Sequence, residues 1–344
     1  MMYRVGSFFA GVGGIDLAFE QTGACKSVYA NEFDKYAAET YEKNFPVKVD
    51  VRDVNLVTGG DIPEVDIVTG GFPCQPFSIA GHQQGFDDEK NRGKLFFQLI
   101  RIIKDKKPKA VLLENVKALA SHDDSTTISI IMNEFLKIGY YAGYKVLNAK
   151  DYGNIPQNRE RIYIVAFRGK EVFERFRWPK PVTLQTRISD VIDFRGRIDE
   201  KYYYRKGKFL MQNGSDIYDA LLQATLDDNI ESPGVFQWRR KYVRKNKNGV
   251  IPTLTANQGG GGHNVCIVKT YYGIRKMTPR ECFNAQGFPP AFRLPEQSDS
   301  RLYKQAGNSV CIPVVRRIAL NMIRALDGEK GNQSQIMNIS NNYS

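Results

Sequence analysis

The 344-residue chain predicts an α/β protein, with a mainly parallel sheet in its first half and a smaller unit of different texture after it. Three observations carry the prediction. Up to about residue 170, short apolar runs alternate with stretches whose apolar residues recur at helical spacing. Chemically capable polar residues stand at the ends of the apolar runs. After Arg168 the alternation stops, and Arg, Lys, Tyr, Gly and Asn dominate to about residue 300.

The first strand is expected over 5–9, followed by the loop AGVGG at 10–14 and a helix to about residue 21. Further strands are expected over 27–30, 47–51, 65–69, 110–113 and 162–167, and helices over 34–44, 92–106 and 126–138. In the helix over 92–106, Leu95, Leu99, Ile102 and Ile103 share one face. Glu32 follows the second strand, Asp50 lies in the third, Cys74 follows the fourth and Glu114 follows the fifth. Open α/β sheets bind ligands outside the carboxyl ends of their strands, so one crevice is expected to gather all four. Taken singly, each acid reads equally well as a solvated loop residue. A last helix is expected over 313–326, and residues 328–344 form a polar, Asn/Ser-rich tail.

Composition narrows the partners. Forty-two per cent hydrophobic and 25% charged residues suit a globular protein, and 49 basic against 37 acidic side chains give a net charge of +12. That excess favours a polyanion, nucleic acid first. No apolar stretch reaches membrane-spanning length, and the apolar run over 5–15 is closed by Asp16 and Glu20 without a cleavage motif, so neither a membrane span nor a signal peptide is expected. Five scattered cysteines and three histidines lack metal-ligand spacing. A reducing cytoplasm is expected, with neither disulfide framework nor metal.

Two stretches carry specific chemistry. GGFPCQPFS at 70–78 places Cys74 between Pro73 and Pro76, a rigid presentation suited to a nucleophile. A lone cysteine reads as readily as a small buried hydrophobe. The glycine loop at 10–14 lacks the third glycine of a dinucleotide fingerprint, because Asp16 stands there. Phe9 offers an aromatic face and Glu32 an acceptor for ribose hydroxyls, which suits a nucleoside cofactor without phosphates, S-adenosylmethionine above all. FQWRRKYVRKNKN at 236–248 interleaves basic and aromatic residues, and a glycine run follows at 259–262. Both read as a DNA-contacting surface or as a solvated basic hairpin.

Taken in order, the motifs resemble the cytosine-C5 DNA methyltransferase family over nearly the whole chain: FAGVGG at 9–14, NEFD at 31–34, VDV at 49–51, GFPCQPFS at 71–78, RGKLFF at 92–97, ENV at 114–116, QNRER at 157–161, TPREC at 278–282 and QAGNSV at 305–310. Valine at 49 departs from the glycine usual there. The resemblance implies a Rossmann-like S-adenosylmethionine-dependent methyltransferase domain with a smaller target-recognition domain. It implies a catalytic unit over 1–184, a DNA-binding unit over 185–300, and a segment over 301–327 that returns to the catalytic unit. By the same resemblance, Cys74 attacks carbon 6 of an extruded cytosine, Glu114, kept protonated by burial, hydrogen-bonds N3, Arg161 stabilises the ring oxygen and Arg159 helps orient Cys74 or its substrate. Phe9, Ala10, Gly11, Gly13, Gly14, Glu32, Phe33, Asp50, Pro73, Leu95, Asn308 and Val310 are implied to hold the cofactor. Arg239, Arg240, Arg244, Gly260 and Gly261 are the expected DNA contacts, and the loop over 79–91 is expected to close over the flipped base. The expected partner is double-stranded DNA, without a stable endonuclease complex, and the enzyme is expected to be a monomer of a restriction–modification system. A transfer-RNA methyltransferase on the same scaffold and a non-catalytic DNA-binding module stand as alternatives.

Overall fold

In a computed structural model of the chain, the described residues are 2–72, 94–211, 213–228, 233–239, 241–246, 249–258 and 265–328. Cys74, Pro73, the loop over 79–91, Arg240, Gly260, Gly261 and the tail beyond Gly328 lie outside them.

A seven-stranded sheet organises the molecule. Its strands are β1 (Tyr3–Phe8), β2 (Cys25–Asn31), β3 (Val49–Asp50), β4 (Ile67–Gly70), β5 (Ala110–Val116), β6 (Tyr141–Asn148) and, past the short β7 (Gln157–Asn158), β8 (Glu160–Phe167). The spatial order is β3-β2-β1-β4-β5-β8-β6. The first five are mutually parallel, while β8 runs antiparallel to both β5 and β6. Strands β4 and β5 are buried along almost their whole length, as central strands covered on both faces must be. The order reverses between β1 and β4, where a doubly wound sheet opens its crevice.

The helices are α1 (Gly14–Glu20), α2 (Lys35–Glu42), α3 (Lys94–Lys106), α4 (Thr126–Lys137), α5 (Ala149–Tyr152), α6 (Lys170–Arg175), α7 (Ile217–Ala224), α8 (Pro279–Asn284), α9 (Asp299–Asn308) and α10 (Ile312–Leu326). Helix α2 starts where the Asp34 carboxylate accepts the Tyr36 amide at 3.0 Å. Helix α3 buries Leu99, Ile102 and Ile103 of the face read from the sequence, together with Phe96 and Ile100, while Leu95 is only half-buried against that core. Helix α10 buries Val314, Val315, Ile318, Ala319 and Met322 in the same core as Val12, Ile15 and Phe19 around α1. Each such aliphatic side chain stabilises by about 1.5–3 kcal/mol on full burial. Tyr3 Oη donates to Asp327 at 2.6 Å, which joins the end of α10 to the first strand.

The second half adds a four-stranded antiparallel sheet in the order β10-β9-β12-β13, from β9 (Val235–Arg239), β10 (Tyr242–Lys245), β12 (Val265–Thr270) and β13 (Gly273–Lys276). The intervening β11 (Ile251–Pro252) leaves that sheet and pairs in parallel with β7. Arg275, fully buried, forks onto Glu281 with nitrogen–oxygen distances of 2.8 and 2.7 Å, and Glu281 in turn caps α8 through the Thr278 amide. The basic region is therefore built on its own sheet and tied to the main core by buried polar contacts.

Several expectations need correction. The first strand ends at Phe8, and Phe9 turns out of it with φ 51°. The fifth strand runs on to Val116, so Glu114 lies inside it. The late strand is antiparallel and begins at Glu160, and the edge strand β6 beside it was not expected from the sequence. Tyr, Gly and Lys half-exposed along β6 give no apolar run to read.

Candidate active site

A cavity of about 380 Å³ opens at the carboxyl ends of the parallel strands. The loop after β1 supplies Phe9, Ala10, Gly11 and Gly14, the end of β2 supplies Glu32, and the end of β4 supplies Gly71 and Phe72. Strand β5 brings Glu114 and Asn115, and the start of β8 brings Arg161, with Arg159 just before it. The far wall is the turn from α9 to α10, with Gly307, Asn308, Ser309 and Val310.

The glycine loop is shaped by backbone requirements. Phe9, Gly11 and Gly13 all have positive φ, at 51°, 56° and 86°. For Phe9 that conformation is uncommon, and it turns the ring out of the strand onto the cavity wall. A Cβ on Gly13 would lie 2.3 Å from the Phe45 ring, so this glycine packs against the protein and does not line the cavity. A Cβ on Gly14 would meet Ser309 Oγ at 2.6 Å, which lets the far turn approach the loop closely. Asp16, where a dinucleotide site wants glycine, is fully buried. It accepts from Ser27 Oγ at 2.8 Å and Tyr41 Oη at 3.0 Å, and burial pushes its pKa up to about 6. A carboxylate at that place disfavours a pyrophosphate.

Glu32 and Glu114 mark the two ends. The Glu32 carboxylate accepts the Gly11 amide at 2.8 Å on one oxygen and the Asp34 amide at 2.8 Å on the other. Burial raises its pKa, and the two amides pull it back. Asp34 also pairs with Lys304 at 2.7 Å on the rim. Glu114 is only 8% exposed, its Oε1 is 3.2 Å from Arg161 Nε, and among the described residues that oxygen has no hydrogen-bond partner. Burial raises the Glu114 pKa, opposed by the charges of Arg161 and Arg159. Arg161 also donates through Nη1 to the Glu160 carbonyl at 2.8 Å. Strand β8 delivers both arginines because, running antiparallel, it places its amino end at the parallel strands' carboxyl edge, with Arg161 opposite Val116.

Asn115 Nδ2 donates to the Phe72 carbonyl at 2.9 Å, fixing the last described residue before Pro73 and Cys74. The other cysteines, Cys25, Cys266, Cys282 and Cys311, are buried thiols. Burial pushes Cys25 up to about 11 and Cys311 up to about 12, and raises Cys266 and Cys282 as well, so none is prepared as a nucleophile.

Other sequence-predicted residues fall elsewhere. The Asp50 carboxylate accepts from Tyr29 Oη at 2.9 Å and from Arg52 Nη2 at 2.6 Å, and does not line the cavity. Phe33 is 73% exposed, and Leu95 packs against the core under α3, both away from the lining. Arg239 ends β9, and Arg244 on β10 donates to Gln237 Oε1 at 2.7 Å. Lining residues passed over in the sequence include Lys304, Asp34 and Ser309. All three carry a readable signal, since Asp34 closes the motif at 31–34 and Lys304 and Ser309 adjoin or belong to the motif at 305–310. Among the described residues, no cluster of three His, Cys, Asp or Glu is arranged to hold a metal, and no helix is long and apolar enough to cross a membrane.

What fold and crevice define together is a class: a doubly wound α/β enzyme working at the carboxyl edge of its sheet. Comparison of the whole chain narrows the class. The model of the C-5 cytosine-specific DNA methylases matches residues 3–324; the chain belongs to that family and is a methyltransferase. It is 50% identical over 325 residues to the Type II methyltransferase M.Bsp6I of Bacillus sp. (strain RFL6), covering 94% of this chain and 100% of that one. It is 42% identical over 324 residues to the Type II methyltransferase M.HhaI of Haemophilus parahaemolyticus, covering 93% and 94%. The solved S. pombe Dnmt2 methyltransferase superposes with a TM-score of 0.69 at 18% identity, over 94% and 99% of the two chains, a likeness of fold.

Proposed function

We propose that the enzyme methylates carbon 5 of a specific cytosine in double-stranded DNA, with S-adenosylmethionine as donor, as the modification partner of a Type II restriction–modification system. The observation that carries this reading is Glu114, a buried carboxyl of raised pKa lying 3.2 Å from Arg161 at one end of the cavity. The donor set at the other end fits the cofactor. Phe9 offers a ring face, Glu32 keeps a lone pair on each oxygen for ribose hydroxyls, and the buried Asp16 disfavours a phosphate-bearing alternative. The volume lies within the range of small-ligand sites. Asn308 and Val310 close the same end. Bound there, S-adenosylmethionine supplies an electrophilic sulfonium methyl.

The protein's part is to make carbon 5 nucleophilic. The Cys74 thiolate adds to carbon 6 of the ring, and the displaced electron pair moves toward N3 and the ring oxygen. Glu114, kept neutral by burial, donates its proton to N3, and Arg161 balances charge on the oxygen. The resulting enamine is nucleophilic at carbon 5. After methylation, N3 returns its proton to Glu114, and loss of the carbon-5 proton to a base expels the Cys74 thiolate and restores the ring. The Asn115 bond to Phe72 steadies the approach to the nucleophile from the strand side. Reaching carbon 6 requires the cytosine to leave the duplex, which costs a few kcal/mol that protein contacts offset.

In this reading residues 1–184 and 301–327 form the catalytic unit. Residues 185–300 recognise DNA, with Arg239 and Arg244 on the small sheet toward the phosphates. The enzyme acts in the cytoplasm as a monomer.

The test is incubation with methyl-tritiated cofactor and either duplex DNA or transfer RNA, followed by bisulfite sequencing of DNA from an expressing host. Label at carbon 5 of duplex cytosine is expected, and Cys74→Ala abolishes it; turnover retained by that variant removes the nucleophile from Cys74. Preferred labelling of transfer RNA would move the enzyme to the alternative substrate.

A further inference from the structure

Arg159 is 2% exposed and, unlike Arg161, holds no carboxylate among the described residues. Its Nη1 donates to the Leu254 carbonyl at 2.9 Å; its Nη2 donates to the Gly307 carbonyl at 3.0 Å and also to the Ser309 carbonyl. The acceptors belong to two backbone segments. Gly307–Ser309 is the far wall of the cavity. Leu254 lies in the strip from β11 to Gln258, immediately before the glycine run of the recognition region. The two segments also touch directly, since a Cβ on Gly307 would lie 2.2 Å from the Thr255 carbonyl carbon and 2.4 Å from the Ala256 nitrogen.

The strip is anchored at its other end. Strand β11 pairs with β7, Thr253 Oγ1 donates to the Asn158 carbonyl at 2.6 Å, and the Leu254 amide donates to Gln157 Oε1 at 3.2 Å. A buried guanidinium solvated by carbonyls resists losing any of them, because the charge would be left under-compensated. Movement of the cavity turn is therefore transmitted to the strip.

We propose that Arg159 is a positioning residue that ties the cavity turn at 307–309 to the strip at 251–258, so that cofactor in the cavity and DNA on the recognition region strengthen one another's binding. The proposal rests on the cavity being the cofactor's site. Coupling of this kind is reciprocal.

The probe is S-adenosylhomocysteine with a fluorescent duplex carrying the methylated site. The readout is the ratio of DNA dissociation constants without and with the probe, which is insensitive to a uniform loss of affinity for either ligand. The native ratio is expected in the range of about 5–150. In Arg159→Lys, whose single ammonium cannot fork to three carbonyls, the ratio falls to within about twofold of one. Gly307→Ala, which forces turn and strip apart, does the same. Thr253→Val loosens only the anchor and lowers the ratio partway; it carries the test if the other two variants fail to fold by circular dichroism.

A native ratio near one, or a native-like ratio in every folded variant, overturns the coupling. A native-like ratio in Arg159→Lys together with slowed single-turnover methylation would instead place Arg159 on the substrate. Absence of S-adenosylhomocysteine binding to the native enzyme would remove the cofactor reading itself, an outcome distinct from loss of coupling.

Discussion

The two ends of the cavity hold the same functional group in opposite states of preparation. Glu32 is half-buried and Glu114 buried, and desolvation raises the pKa of both carboxyls. Two backbone amides, one on each oxygen, stabilise the charged form of Glu32. Glu114 has arginine charge nearby but an Oε1 without a hydrogen bond among the described residues. Hydrogen bonds given to a carboxylate hold it as an acceptor, whereas burial without them favours the acid. In the proposed function the difference suits Glu32 to holding a ligand's hydroxyls and Glu114 to giving up a proton.

Substitution at each end sharpens or breaks that contrast. Glu114→Gln is expected to lower kcat by about 10²–10³-fold, with cofactor affinity little changed. The native enzyme's kcat falls as pH rises through the raised Glu114 pKa, because the donating form is lost; Glu114→Gln lacks that alkaline limb. The same shift has a stability sign. Burial favours the neutral acid, so its contribution to folding is complete below the unfolded carboxyl's pKa and disappears as pH rises through the native one. Equal alkaline limbs in both proteins would remove Glu114 as the donor. At the opposite end, Glu32→Gln is expected to raise the cofactor KM by about 10–100-fold with kcat within a few-fold, as fits a charge-assisted hydrogen bond lost from binding. A kcat loss without a KM change would contradict the division. The smallest effect is expected for Lys304→Ala, which removes an exposed rim pair to Asp34. It should weaken cofactor binding by no more than about fivefold, and the effect should shrink as salt rises.

The parallel strands were legible because each is a short apolar run between turn residues, and so were the acids at their ends. The antiparallel part was not. Strand β8 extends the pairing of β5 to Val116 and sets Arg161 beside Glu114, a register fixed by strands distant in sequence. Local periodicity cannot report such a pairing. The same limit applies to Asp50, whose carboxylate is engaged by Arg52 and Tyr29 instead of facing the cavity. The role of Gly307 was equally hidden, because only the approach of the Thr255 backbone shows why a side chain does not fit there.

The cavity's far wall comes from the turn between α9 and α10, about 300 residues along the chain from Phe9 on the near wall. A ribosome that has made only the first 290 residues has made every parallel strand but not the far wall of the cavity. The cavity therefore closes only once the turn between α9 and α10 has been made, and a message cut short before α9 yields protein in which that wall is missing.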